Sequence, residues 1–255
     1  MISKKGCVAF LLLFALLLSP SHSPAGVVRC TELETIHELS SADVIYQKFN
    51  SQKITSQRFN ILIGDLLYEA KKIGDNRIYA EYLGILANNK LNYNKISEAA
   101  LINQKAENML NFLRDFEGAG VVLINKIRLY RKQGKYSEFQ LFINDLKGNY
   151  PPFKEIYEPI LYRELAYLEN FKKNKALCNT YLDKSFHLIC KLHNGLYRGN
   201  LLSSLAISAR DLGYVALAAN CFEMALTEYD SSHDSSRVIM TYVNLSGLLS
   251  QQYHL

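Results

Sequence analysis

The chain has 255 residues, of which 49% are hydrophobic and 21% charged, and a formal net charge of +5. This is the composition of a globular protein with a sizeable core, and it excludes a disordered tail. With 5 prolines and 13 glycines thinly spread, no proline-rich or glycine-serine linker divides the chain, so one continuous array is expected.

The first element is a leader. Lys4 and Lys5 precede an unbroken apolar run, Cys7 to Leu18, and small residues follow at Ser23 and Ala25. This order is that of a secretory signal peptide over residues 1–25, with Ala25 the expected last residue removed. The run has 12 residues, whereas a spanning helix needs roughly 20, so membrane contact is expected only through an uncleaved signal. Val27, Val28 and Arg29 ahead of Cys30 exclude a lipid-attachment site, which needs small residues there. The periplasm is the expected compartment, with secretion or anchoring by the uncut leader as alternatives. Losing Lys4 and Lys5 lowers the net charge from +5 to +3, too small an excess for a nucleic-acid groove, so no nucleic-acid partner is expected. Of the 5 cysteines, Cys7 leaves with the leader. Cys30, Cys178, Cys190 and Cys221 then enter a compartment that permits disulfides, with three complete pairings open. Cys178 and Cys221 are read as small buried hydrophobes within helices.

Residues 26–50 are read as an N-terminal leader with an irregular helix, and 51–255 as the helical array. From Ile54 to Gly74, Phe59, Ile63, Leu66 and Leu67 fall at helical spacing and predict a helix. Gly74 and Asp75 turn the chain into a second helix that runs through Ala87. The stretch Leu91 to Arg114 is the least regular, with Ala99 and Ala106 as its small positions. Val121 to Pro152 reads as a hairpin turning at Gly134, Tyr162 to Phe186 as one turning at Lys173, and Ala206 to Ala225 as one turning at Gly213. These turns lie 39 and 40 residues apart. In the last hairpin Ala206 and Ala218 let two antiparallel helices approach, and Phe222 and Ala225 pack the second onto the first. Ser235 to Leu255 is a further first helix with no second behind it. It is read either as a polar cap, with Gln251, Gln252 and His254 on the wet side, or as the shortened end of a longer relative.

The pattern Ala206, Gly213, Ala218, Phe222, Ala225 resembles the tetratricopeptide repeat, a helix-turn-helix unit of about 34 residues. Tyr130, Gly134, Tyr136 and Pro151 stand at family positions in the first hairpin, and Ala166, Cys178, Leu182 and Ser185 in the second. Phe139 and Ile127 depart from the family's small residues and suggest a looser hairpin there. The period of about 40 resembles the long-helix repeats of extracytoplasmic domains in bacterial sensor and regulator proteins. The resemblance implies an all-α, right-handed α-solenoid of antiparallel helix hairpins, in which stacking buries the face that no hairpin covers alone. It also implies a concave face lined by first helices. On this chain those positions hold Asn125, Arg128, Arg131 and Lys132, then Arg163, Tyr167 and Asn170, then Ser203, Ser204 and Arg210, then Asn244.

Catalytic grammar is sparse. There is no phosphate-cradling glycine loop, HExxH, GxSxG or paired CxxC. His187, Cys190 and His193 in HLICKLH fan across roughly 120° of a helix and lack the fourth ligand of a structural zinc site. Glu155 with Glu158, and Glu164 with Glu169, are read as surface charges rather than acid/base pairs. Asn244-Leu245-Ser246 fits a glycosylation sequon but falls inside a predicted helix. The expectation is a non-enzymatic scaffold without metal or cofactor that binds a protein or peptide partner through its concave groove. A sensory domain of a bacterial signalling system is the alternative.

Overall fold

A computed structural model describes residues 45, 56–113, 119–149 and 156–253. Residues 1–25, expected to be a leader, lie outside the described residues, as do Cys30, Pro151 and Glu155. All the described residues belong to one compact unit, Leu39–Leu255. Among them are ten α-helices and no strand: α1 Ser56–Lys72, α2 Asn76–Asn92, α3 Ile96–Leu113, α4 Gly120–Lys132, α5 Tyr136–Asn149, α6 Glu158–Phe171, α7 Lys175–Cys190, α8 Leu196–Asp211, α9 Val215–Ser231 and α10 Ser235–Tyr253. Within residues 26–50, Ile45 is helical and buried.

The expected turns are where the sequence placed them, and one bonding pattern makes all of them. Gly74, Asn94, Gly134, Lys173, Gly213 and His233 each adopt positive φ, between 53° and 85°. After each, the next backbone N–H donates to the carbonyl five residues back, as in Lys135 to Tyr130 at 2.9 Å and Tyr214 to Ala209 at 2.7 Å. This is the left-handed C-cap in which one residue closes a helix and its successor opens the next. Asp75 and Asn174 add side-chain N-caps, accepting from the backbone N–H of Ile78 at 2.9 Å and Leu177 at 3.2 Å.

Asn94 is a turn that the sequence disguised. It stands 40 residues before Gly134, and Asn tolerates the left-handed region better than other non-glycine residues. From Leu91 to Leu113, the part of the sequence expected to be the least regular, the chain therefore follows the same pattern, and Ala87, Ala99 and Ala106 are all at 0% exposure. Counted from the four turns Asn94, Gly134, Lys173 and Gly213, the residue seven earlier is Ala87, Ile127, Ala166 or Ala206, each fully buried. Those five, nine and twelve later are likewise buried, including Phe139, Cys178, Leu182, Ser185, Ala218, Phe222 and Ala225. Phe59, Ile63 and Leu66 of α1 hold the same three positions one step upstream.

Packing follows this register. The most extensive helix pairs are α8 with α9, α2 with α3 and α6 with α7, each joined across one of these turns. The pair α4 and α5 is much looser, because Ile127 and Phe139 stand at the crossing where the other hairpins have smaller residues or an alanine partner. A second set of contacts links alternate helices, α2 to α4, α4 to α6 and α6 to α8. The α2–α4 approach needs Gly84, since a Cβ there would lie 2.7 Å from Val121 Cγ1 and 2.8 Å from Val122 Cγ2.

Lys173 is the long charged side chain in this set of left-handed positions, with φ of 62°. An L-residue is disfavoured there by roughly 1–2 kcal/mol relative to glycine. Lys173→Gly is therefore expected to stabilise the chain by about 1 kcal/mol, read as a higher urea midpoint with an unchanged slope.

Candidate partner-binding face

Along α2, α4, α6 and α8, polar side chains join helix to helix. Arg128 of α4 donates to Asn88 Oδ1 and, at 2.9 Å, to Asn92 Oδ1, both on α2. Lys132 Nζ donates to Asn94 Oδ1 at 3.2 Å. Arg131 donates through Nε to Glu164 Oε2 on α6 and lays its guanidinium over the Tyr167 ring, 4.2 Å from the centroid. Arg163 Nη2 donates to Glu164 Oε1 at 2.7 Å. Tyr167 reaches Asp211 Oδ2 on α8 at 3.4 Å, and Arg210 donates to the other oxygen of Asp211 at 3.1 Å. Arg128, Arg131, Lys132, Arg163, Tyr167 and Arg210 thus belong to one row that crosses four helices.

The other expected face residues are placed differently. Asn125 is fully buried and is no surface for a partner: its Nδ2 donates to the Gly84 carbonyl at 2.8 Å and to Asn103 Oδ1 at 3.1 Å, tying α4 to α2 and α3. Asn170 is exposed, and its carbonyl accepts from Lys173 N at the turn. Ser203 is half-buried; the Ser204 carbonyl accepts from Ser208 Oγ at 3.0 Å. Asn244 is half-buried on α10, which packs chiefly on α9. The repeat residues Tyr130 and Tyr136 serve packing, Tyr130 edge-on to Phe142 at 5.9 Å and Tyr136 stacked on Phe171 at 4.2 Å.

Glu164 is the centre of the row and was misread as a surface charge. It is at 0% exposure, and Glu169 at 7%. Burial alone pushes the Glu164 carboxyl up; Arg131, then Arg163 and Arg128, outweigh it and bring it down to about 2. Burial pulls the Arg131 guanidinium down, and Glu164 reverses that to a net rise. Lys132 is lowered, first by burial and then by Arg131 and Arg128. Four cations, Arg128, Arg131, Lys132 and Arg163, therefore share the field of one buried carboxylate, and a lysine among them feels net repulsion. Burial raises the Tyr167 hydroxyl, which keeps it a donor.

Asn88, Asn92 and Asp211 were missed. Asn88 and Asn92 stand 40 residues before Arg128 and Lys132, so the register would have exposed them had Asn94 been read as a turn.

Elsewhere, Cys178 and Cys221 are buried thiols, as expected, and Cys190 is half-buried. Burial raises all three, Cys221 to about 12. His187 and His193 are exposed, and His187 Nδ1 lies 2.7 Å from the Asp183 carbonyl. Among the described residues, no group of three or more His, Cys, Asp or Glu is placed to hold a metal ion, and no helix is long and apolar enough to cross a membrane. In comparisons with known proteins, no family model and no curated protein matches this chain.

Proposed function

We propose that the chain is an exported, tetratricopeptide-like, right-handed α-solenoid that binds an extended acidic segment of a protein partner along α4, α6 and α8. The repeat reading is supported by the 39- and 40-residue spacing of identical turns, by burial at the same offsets from each turn, and by the contacts between alternate helices. Export rests on the order of residues in 1–25.

The observation that carries the binding reading is the gathering of Arg131, Arg163 and Lys132 beside the buried carboxylate of Glu164, with Arg128 next to them on α4. Arg131 and Arg163 are both engaged by Glu164, which fixes their guanidinium groups, and the Lys132 ammonium lies beside them. Fixed guanidinium groups and an ammonium are matched by carboxylates, and a preformed surface orders only the incoming peptide. The same rigidity suits a scaffold that recognises its partner without chemistry.

The test is fluorescence anisotropy with unstructured peptides of equal length, one rich in Glu and Asp, one neutral, one rich in Lys. The acidic peptide is expected to bind at least tenfold more tightly than the others, a difference of about 1.4 kcal/mol, with affinity falling as salt rises. Equal affinity for the three peptides overturns the proposal.

A further inference from the structure

The last described helix bares large apolar side chains; the side chains of Gln251, Gln252 and His254, where the polar cap was expected, lie outside the described residues. On α10, Ile239 (58%), Met240 (62%), Tyr242 (58%), Val243 (60%) and Leu249 (42%) are exposed. Asp234, Thr241 and Leu248 are buried, and they form a stripe at seven-residue spacing on the side that packs on α9. With 100° per residue, Ile239, Val243, Ser246 and Ser250 fall on the opposite side of the helix, flanked by Tyr242 and Leu249 on one edge and Met240 and Gly247 on the other.

The repeat register says what that side does elsewhere. Ser246 lies 40 residues after Ala206, and thus corresponds to Ala87, Ile127 and Ala166, all at 0% exposure; Ser246 itself is exposed. Tyr242 corresponds in the same way to Leu202, Leu123 and Leu83, each buried, and to Tyr162, which is half-buried. In α2, α4, α6 and α8 this side is covered by the helix across the next turn, running the opposite way.

We infer that this face of α10 is covered by α10 of a second copy, in an antiparallel pair about a twofold axis. Two features select a second copy. First, α10 holds a single charged residue, Arg237, which is paired with Asp234 at 2.6 Å, so the face meets itself without like-charge repulsion. Second, the face is complementary to itself. A twofold axis near Asn244 and Leu245 brings Val243 opposite Ser246, Ile239 opposite Ser250, Met240 beside Gly247 and Tyr242 beside Leu249 of the other copy, so that large side chains meet small ones except at the last pair. A Cβ at Gly247 would meet nothing within 4 Å, which leaves open the space that Met240 of the second copy enters.

The area sets the strength. At roughly 60–120 Å² per such side chain, the five expose on the order of 400 Å² per copy, within the range of the largest apolar patch of a monomer, which is often functional. Doubled, this is about 800 Å², short of the roughly 1,000 Å² that a stable interface clears, so a weak, concentration-dependent dimer is expected.

Sedimentation velocity of the full chain across the micromolar range tests this, comparing it with Val243→Glu and, as a control, Phe112→Glu on α3, whose side chain is also exposed (88%). The expected result is a concentration-dependent dimer for the parent and for Phe112→Glu, and a monomer for Val243→Glu with unchanged helical circular dichroism. A parent that stays monomeric throughout overturns the inference, as does Val243→Glu that dimerises like the parent. Loss of the dimer in both variants overturns it too, because the association would then be non-specific.

Discussion

Replacing Glu164 with Gln is expected to destabilise the chain by about 3–5 kcal/mol, the cost of removing one partner from a buried ion pair. Gln keeps the shape and one acceptor but not the charge. Arg131, whose side chain is 20% exposed, and Arg163, 11% exposed, would then face each other without the carboxylate that both bind. The link between α4 and α6 runs through this group, so the loss should appear as cooperative unfolding at lower urea rather than as local fraying.

Acid supplies the same test without a mutation. The Glu164 carboxyl is held at about 2 in the folded chain against an ordinary 4.5. A carboxyl lowered by folding contributes stability that is fully present above about 4.5, and that contribution is lost as pH falls from there toward 2. Two to three pH units correspond to on the order of 3 kcal/mol. The parent should lose that much more than Glu164→Gln between pH 5 and about 2, measured by urea unfolding at each pH. Parallel acid limbs in the two proteins would show that Glu164 is not the linked group.

Phe222→Ala is the second large effect, with an expected loss of about 3–5 kcal/mol. Phe222 is fully buried in the most extensive helix pair, α8 with α9. Three of the fully buried residues in its repeat unit are Ala206, Ala218 and Ala225, which have no longer rotamer with which to fill the space left behind. The cavity therefore persists, and a persistent cavity is the expensive kind. Amide exchange should speed up first in α8 and α9. A loss below about 1 kcal/mol would mean that the hairpin repacks, against the close-packed crossing described here.

Much of this fold was legible because turns and small residues are local. Gly134 and Gly213 need left-handed backbone, and alanines at fixed offsets let helices approach, so spacing alone revealed the hairpins. Lys173 was placed by counting, and the structure puts it at φ of 62°. Asn94 escaped because asparagine is also common in ordinary helix ends and loops, and with it went the full register of α2 and α3. The face was legible only in outline. Its arginines could be mapped, but burial is a property of neighbours far apart in sequence: Asn125 looks like a surface amide until Gly84, 41 residues away, takes its hydrogen bond. Glu164 looked like an ordinary surface charge for the same reason, since its partners lie on α4 as well as α6.

The measurement closest to the central claim is peptide affinity after reversing charge at two places that leave Glu164 untouched. Lys132→Glu together with Arg210→Glu changes side chains whose polar contacts are at the surface, Asn94 and Asp211. The account predicts that the double variant keeps its helical signal, loses at least tenfold in affinity for the acidic peptide, about 1.4 kcal/mol, and gains affinity for the basic one. Unchanged affinity for both peptides would contradict it and remove the row across α4, α6 and α8 from the binding surface.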